Sequence, residues 1–360
     1  MRNYDELVRE VKSRTNPESI SERRLFGENY EHEFKVQAPT LVLEYIKRAM
    51  DGVGEDYTRR SKEAGEAVKN HLKACLSNVD YEYQGSVMTN THIRGNSDID
   101  LLVISNLFHF NDWSGVDSVL NNSLEKLLLE SYQLTNLRYA RESSTSYQGN
   151  FLADLKRNRT ESENKLTNEY DECNISKPKA IRLKNKNLHR EVDVVIACWY
   201  RTVQAIKENE KKFRSIQIYD KSENSIGRVE SPFVSIDRIN SKDNSVNGRL
   251  KKMIRFLKNL KVDSGTKINL NSFDINAICY KIDINNYSGK KYYELVPVLV
   301  DEFYRLISNE SYRNSVKSVD GSEYIFYGKP DKVKALRELE EELGKVFGDF
   351  QLIPNFNYSL

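Results

Sequence analysis

Asp98-Ile99-Asp100 stands at the entrance of the run Leu101-Leu102-Val103-Ile104, and no other feature constrains this chain as strongly. A short run of bulky apolar residues, bounded by Gly95 and Asn96, predicts a buried strand. Side chains at i and i+2 of a strand share one face, so the two carboxylates point into the same space. Burial and mutual repulsion both disfavour two ionised carboxylates there. A divalent cation relieves both, and hard oxygen ligands at this separation suit Mg²⁺ or Mn²⁺. Magnesium is usually held by a few carboxylates together with substrate phosphates, so the stretch predicts phosphate chemistry. The plainer alternative makes Asp98 a turn cap and Asp100 a solvated residue at a strand edge. Gly85-Ser86, just upstream, weigh against it, because a Gly-Ser turn offers backbone N–H groups and a hydroxyl to a triphosphate.

A second strand is predicted over residues 192–198. Val192, Val194 and Ile196 face one way, and Asp193 and Val195 the other. An unpaired carboxylate inside such a strand is costly. Either Arg190 or a nearby lysine neutralises Asp193, or it is a third metal ligand beside Asp98 and Asp100. Two carboxylates from one strand and one from its neighbour would form a two-metal site. Lys177 to Arg190 holds six basic residues and no acidic one, which suits an anionic substrate or a solvated strand face.

The rest of the chain reads as helices around this β-rich middle. Residues 1–40 predict a short helix and an arm. Helical spacing runs over 40–78, broken at Gly52 and Gly54, and again over 116–134, where the stripe could pack on the sheet. Residues 142–175 are polar and predict a loop or surface insertion. After residue 200 the β pattern fades, and Ser231 to Leu250 reads as a linker into the helix around Arg249–Lys261. There Lys251, Arg255 and Lys258 share a stripe, either toward phosphates or on a solvated face. Ser272-Phe273 open a further helix, and Val333, Leu336, Leu339, Leu343 and Phe347 mark an amphipathic C-terminal one.

A net charge of +2 carries no strong nucleic-acid signature, and four scattered cysteines read as reduced residues of a cytoplasmic protein. No apolar run reaches membrane-spanning length, so no membrane partner is expected. The five histidines form no sequence cluster.

The wording GSVMTNTHIRGNSDIDLLVI, then REVDVVIACWY and NGRLKKMIRFLKNL, resembles the CD-NTase family of cGAS/DncV-like nucleotidyltransferases, within the polymerase-β-type superfamily. Thr91-His92-Ile93 and Ser97-Asp98-Ile99-Asp100 make the resemblance specific, and it spans roughly residues 55–290. It implies an α+β fold: a mixed-sheet catalytic lobe over 41–230 with a bracing helix, a helical lobe over 231–360, and an active site in the cleft. It implies that Asp98, Asp100 and Asp193 bind two Mg²⁺ (or Mn²⁺). Gly85 and Ser86, with Gln84 beside them, would hold the donor triphosphate. Arg255 or Lys258 would touch phosphates, and Ser272 and Phe273 would lie near phosphate and base.

The implied activity is a cyclic di- or trinucleotide synthase, acting on nucleoside triphosphates with ATP among them. Its product would activate a downstream effector in antiphage (CBASS) defence. The alternatives are a template-independent transferase acting on RNA or protein, a linear oligonucleotide synthase, and an inactive nucleotide-binding scaffold.

Overall fold

The computed structural model describes residues 2–14, 41–95 and 98–351. In chain order its helices and strands begin with Tyr4–Arg14 (α1), Leu41–Met50 (α2), Glu55–Lys73 (α3), Val79–Gln84 (β1) and Ile99–Asn111 (β2). Three short helices follow: Trp113–Asn121 (α4), Ser123–Leu127 (α5) and Ser131–Glu142 (α6). Then come Phe151–Glu169 (α7), Cys173–Asn174 (β3), Ile181–Asn185 (β4), Arg190–Arg201 (β5), Val203–Glu208 (α8), Ser215–Asp220 (β6) and Ser225–Glu230 (β7). The remainder is helical: Pro232–Ser245 (α9), Arg249–Val262 (α10), Ser272–Lys281 (α11), Leu295–Ser308 (α12), Glu310–Asn314 (α13) and Pro330–Gln351 (α14).

Two compact units result, Met1–Arg59 with Thr89–Ser97 and Arg238–Leu360, and Arg60–Met88 with Asp98–Asp237. The second unit ends at Asp237, and α2 and Thr89–Ser97 group with the C-terminal helices. Of the arm expected over 1–40, α1 is described and residues 15–40 lie outside the described residues. Among the described residues no helix is long and apolar enough to cross a membrane.

The second unit is built on a mixed sheet. β1 runs antiparallel to β2, β2 parallel to β5, and β5 antiparallel to both β4 and β6. One edge of β5 serves two partners along its length, β4 against residues 190–194 and β6 against 197–200. One sheet face carries Ile99, Leu101, Val103, Val192, Val194 and Ile196, buried against Ala64, Val68 and Leu72 of α3 and Leu155 and Leu166 of α7. The other carries Leu102, Ile104, Val195 and Ala197 in a smaller core with Trp199 and Ile216. Each such side chain contributes about 1.5–3 kcal/mol on burial. A one-residue slip of β2 or β5 would turn that set outward and drive the aspartates into the core, so the register is strongly specified.

Four stretches differ from the sequence expectation. Residues 151–169 form α7 rather than a loop, because its buried face is partly polar and pairs internally. Arg159, almost fully buried, binds Glu163 at 2.7 Å and the carbonyl of Lys177 at 2.9 Å, and Lys221 reaches Glu163 at 2.7 Å. The expected linker is largely α9, opened by Pro232, whose fixed φ suits a first helical position. The β pattern continues past residue 200 as the β6–β7 hairpin. The stripe over 116–134 is cut where Asn122 caps α5, and it leaves Leu124, Leu127 and Leu128 exposed.

The first unit has its own apolar core, drawn from α1, α2, α10, α11, α12 and α14. Leu336, Leu339 and Leu343 of α14 are fully buried there, as their spacing predicts.

Candidate active site

Strand register assembles the site. Gln84 pairs with Asp100, Asp100 with Asp193, and Asp193 with Arg182, a row across β1, β2, β5 and β4. Directly paired residues project from the same face, so the row points away from the larger apolar core. Asp98 lies one strand repeat before Asp100 and joins the same face. The three aspartates expected to act together are therefore neighbours.

Beside them, Gly85 ends β1 with φ +87° and opens a turn closed by Met88 N donating to Gly85 O at 3.2 Å. A side chain on Gly85 would meet Asp100 Oδ2 well inside van der Waals contact. Both the left-handed backbone and the close approach require glycine. Ser86 follows, half-buried in the turn.

Sequence reasoning missed Arg182, which stands against two of these aspartates. It donates from Nε and Nη2 to the two Asp193 oxygens, each at 2.7 Å, and Nη2 also lies 2.8 Å from Asp98 Oδ2. A guanidinium forked onto a carboxylate is a strong charge-assisted pair. Arg190, which with the nearby lysines was the alternative to a metal as the neutraliser of Asp193, donates to the carbonyls of Leu188 and His189. The basic run and the Ile181-x-Leu183 alternation were visible, but which strand faces Asp193 depends on register.

Asp100 is half-buried, and among the described residues no cation forms a salt bridge with it. Burial first, then the charges of Asp193 and Asp98, push its carboxyl up to about 7. Burial also raises Asp98, although Arg182 pulls the other way. This is the signature of a carboxylate set short of positive charge. Among the described residues no three acidic side chains stand close enough together to hold a metal ion, and Arg182 binds two of these aspartates. Hard oxygen donors on one face with unmatched negative charge nonetheless fit a divalent cation.

The remaining candidates lie in the first unit. Arg255 is buried, with Nε 2.8 Å from Met50 O and Nη1 2.7 Å from Asn90 O. Lys258 is buried as well, donating to Thr91 O at 2.9 Å, and burial and then the charge of Arg255 lower its amine to about 7. Neither lies on a solvated helix face. Both tie down the Thr89–Arg94 segment, where Thr91 and His92 are fully buried and His92 Nε2 lies 3.0 Å from Thr58 Oγ1. Ser272 is exposed at the start of α11, next to its Asn271 cap, and Phe273 packs on the helical core.

Arg255→Ala therefore has a different expected outcome from that of a surface cation. Truncation strands two carbonyls that the guanidinium now satisfies. The expected loss is about 2–4 kcal/mol in urea unfolding, at roughly 1–3 kcal/mol for each unsatisfied group. A midpoint within about 0.5 kcal/mol of wild type would show that these bonds carry no stability.

A mixed sheet with this carboxylate set beside a Gly-Ser turn has the architecture of a nucleotidyltransferase, and the comparisons with known proteins agree. Residues 237–347 match the family model for the cGAS/DncV-like nucleotidyltransferase C-terminal helical domain. A c-di-GMP synthase from a Lachnospiraceae bacterium is 42% identical over 350 residues, 96% of this chain and 98% of that one. The structure of a STING-associated CdnE c-di-GMP synthase from Flavobacteriaceae sp. superposes with a TM-score of 0.85 at 41% identity, covering 97% and 98% of the two chains. That of the STING-associated CdnE c-di-GMP synthase from Capnocytophaga granulosa gives 0.76 at 42%, covering 97% and 99%. The chain belongs to the cGAS/DncV-like nucleotidyltransferase family. It is a nucleotidyltransferase that acts on nucleoside triphosphates, and members of the family generally use divalent metals.

Proposed function

We propose that this cyclic dinucleotide synthase joins two molecules of GTP into cyclic di-GMP, releasing two pyrophosphates. The row Gln84–Asp100–Asp193–Arg182, with Asp98 on the same face, carries the catalytic part of this reading. Similarity above 40% to c-di-GMP synthases along nearly the whole chain supports the choice of base.

Asp98, Asp100 and Asp193 would hold Mg²⁺. When bound, the metal supplies charge neutralisation on the phosphates and acidifies an acceptor hydroxyl. Gly85 and Ser86, beside Gln84, offer backbone and hydroxyl donors to the donor triphosphate. Asp193 lies one strand further from that turn and orients the acceptor ribose hydroxyl for in-line attack at the α-phosphorus. A second round of the same step, with the ends of the intermediate exchanged, closes the ring. Arg255 and Lys258 act through the backbone of Asn90 and Thr91. The product would activate a STING-type effector in antiphage defence, in the cytoplasm.

Incubation with GTP alone, ATP alone and all four nucleotides with Mg²⁺, followed by phosphatase and mass spectrometry, tests the proposal. Cyclic di-GMP from GTP alone is expected, unchanged in amount when ATP is added. A product that contains adenosine, a phosphatase-sensitive linear dimer, or label transferred to RNA or protein would each refute it.

A further inference from the structure

One nitrogen, Arg182 Nη2, lies 2.8 Å from Asp98 Oδ2 and 2.7 Å from Asp193 Oδ2. These are two of the three carboxylates assigned to the metals, and the same nitrogen bridges an oxygen of each. A divalent ion held by Asp98 and Asp193 would need carboxylate oxygens that Arg182 Nη2 now binds. The guanidinium cannot shed its charge at any working pH. It cannot drift far either, because register fixes Arg182 opposite Asp193 on β4. The Asp193 contact is bidentate and cross-strand, whereas the Asp98 contact uses one nitrogen and reaches a residue just outside β2.

We propose that Arg182 is a positioning residue that serves as a resident cation of the catalytic carboxylates. It clamps Asp98 to Asp193 before metal arrives, and it gives up Asp98, while keeping Asp193, when metal enters. Arg182 then acts as a competitor that sets the metal concentration at which the site fills. It also keeps three neighbouring aspartates from repelling one another in the empty site. The inference rests on the metal assignment in the proposed function.

Titration of Mn²⁺ without nucleotide, with free Mn²⁺ followed by electron paramagnetic resonance, tests it on the full chain. Arg182→Gln should bind Mn²⁺ roughly three- to tenfold more tightly than wild type, the range expected for losing one partly exposed ion-pair competitor. Arg182→Lys, which keeps the charge but loses the fork, should fall between the two. In an Asp98→Asn background the Arg182→Gln gain should vanish, because the contested ligand is gone. Equal or weaker Mn²⁺ binding by both Arg182 variants would overturn the proposal, and so would a gain that persists without Asp98. Failure of the underlying reading looks different: wild type itself would then bind no Mn²⁺ and release no pyrophosphate from GTP.

Discussion

Asp98→Asn combined with Asp100→Asn is expected to lower pyrophosphate release from GTP by more than about a thousandfold, with the fold intact. The loss should be this large because the substitutions remove charge and leave shape, and charge is what the site needs to hold metal against phosphate. The effect on stability separates this outcome from simple unfolding. The Asp100 carboxyl stands at about 7 in the folded chain, above its ordinary value near 3.8. A raised folded-state value means that the folded protein binds the proton more tightly than the unfolded one. Without metal, stability should therefore fall as pH rises from about 4 to about 7 and stay low above that. Asp100→Asn removes the ionised form and its cost. At pH 8 without metal it should be more stable than wild type, by on the order of 1–3 kcal/mol, while near pH 4 the difference should disappear. Added Mg²⁺ should then stabilise wild type and not the variant. Retained turnover in the double variant would end the metal assignment, and a lower metal-free melting point for Asp100→Asn at pH 8 would contradict the account of its environment.

The aspartates were legible in the sequence for a reason that the fold makes plain. A strand has a period of two, so Asp98 with Asp100, and Asp193 with Val195, reveal shared faces without any knowledge of neighbours. The apolar alternation of residues 192–198 reappears as two separate cores, with Val192, Val194 and Ile196 in one and Val195 in the other. The helices with wide apolar stripes, α3 and α14, were legible on the same principle.

What stayed hidden depended on contacts distant in sequence or on buried polarity. Arg182 looked like any other cation of the 177–190 run until register set it against Asp193. Helix α7 looked like a loop because Arg159 and Glu163 fill positions where apolar residues would mark a core. Arg255 and Lys258 looked like a solvated or phosphate-facing stripe, yet each bonds a backbone carbonyl in Asn90-Thr91, more than 160 residues earlier. That pairing also explains why Thr89–Ser97, which separates Gly85-Ser86 from Asp98 in the chain, groups with the helices rather than the sheet. The Thr91-His92 wording that carried the family resemblance is thus an anchoring segment: both side chains are fully buried, and Asp98, Asp100 and Asp193 lie in the other unit.

Gly85→Ala is expected to be the most damaging single substitution outside the carboxylates. Two penalties act at once. The backbone at φ +87° disfavours any residue with a Cβ, at about 1–2 kcal/mol. The new methyl would also overlap Asp100 Oδ2 and lie 3.4 Å from its Cγ. Either the turn shifts, and the donors of Gly85 and Ser86 lose their aim, or Asp100 is pushed out of the row it shares with Asp193. Both outcomes damage the same step, so pyrophosphate release should fall by on the order of a hundredfold or more, since ångström-scale misplacement alone can cost that much. Ser86→Ala, which removes one hydroxyl and leaves the backbone donors in place, should cost far less. Asp100→Ala in combination with Gly85→Ala resolves the two penalties. Deleting the carboxylate removes the overlap but not the backbone strain, so the destabilisation caused by Gly85→Ala should shrink without vanishing when measured against Asp100→Ala. Activity should stay absent in the double variant, because a carboxylate proposed to hold the metal is gone. Near-normal turnover by Gly85→Ala would show that the turn does not position the donor. A destabilisation that is the same with or without Asp100 would show that strain at Gly85 acts alone and that the close approach to Asp100 has no energetic weight.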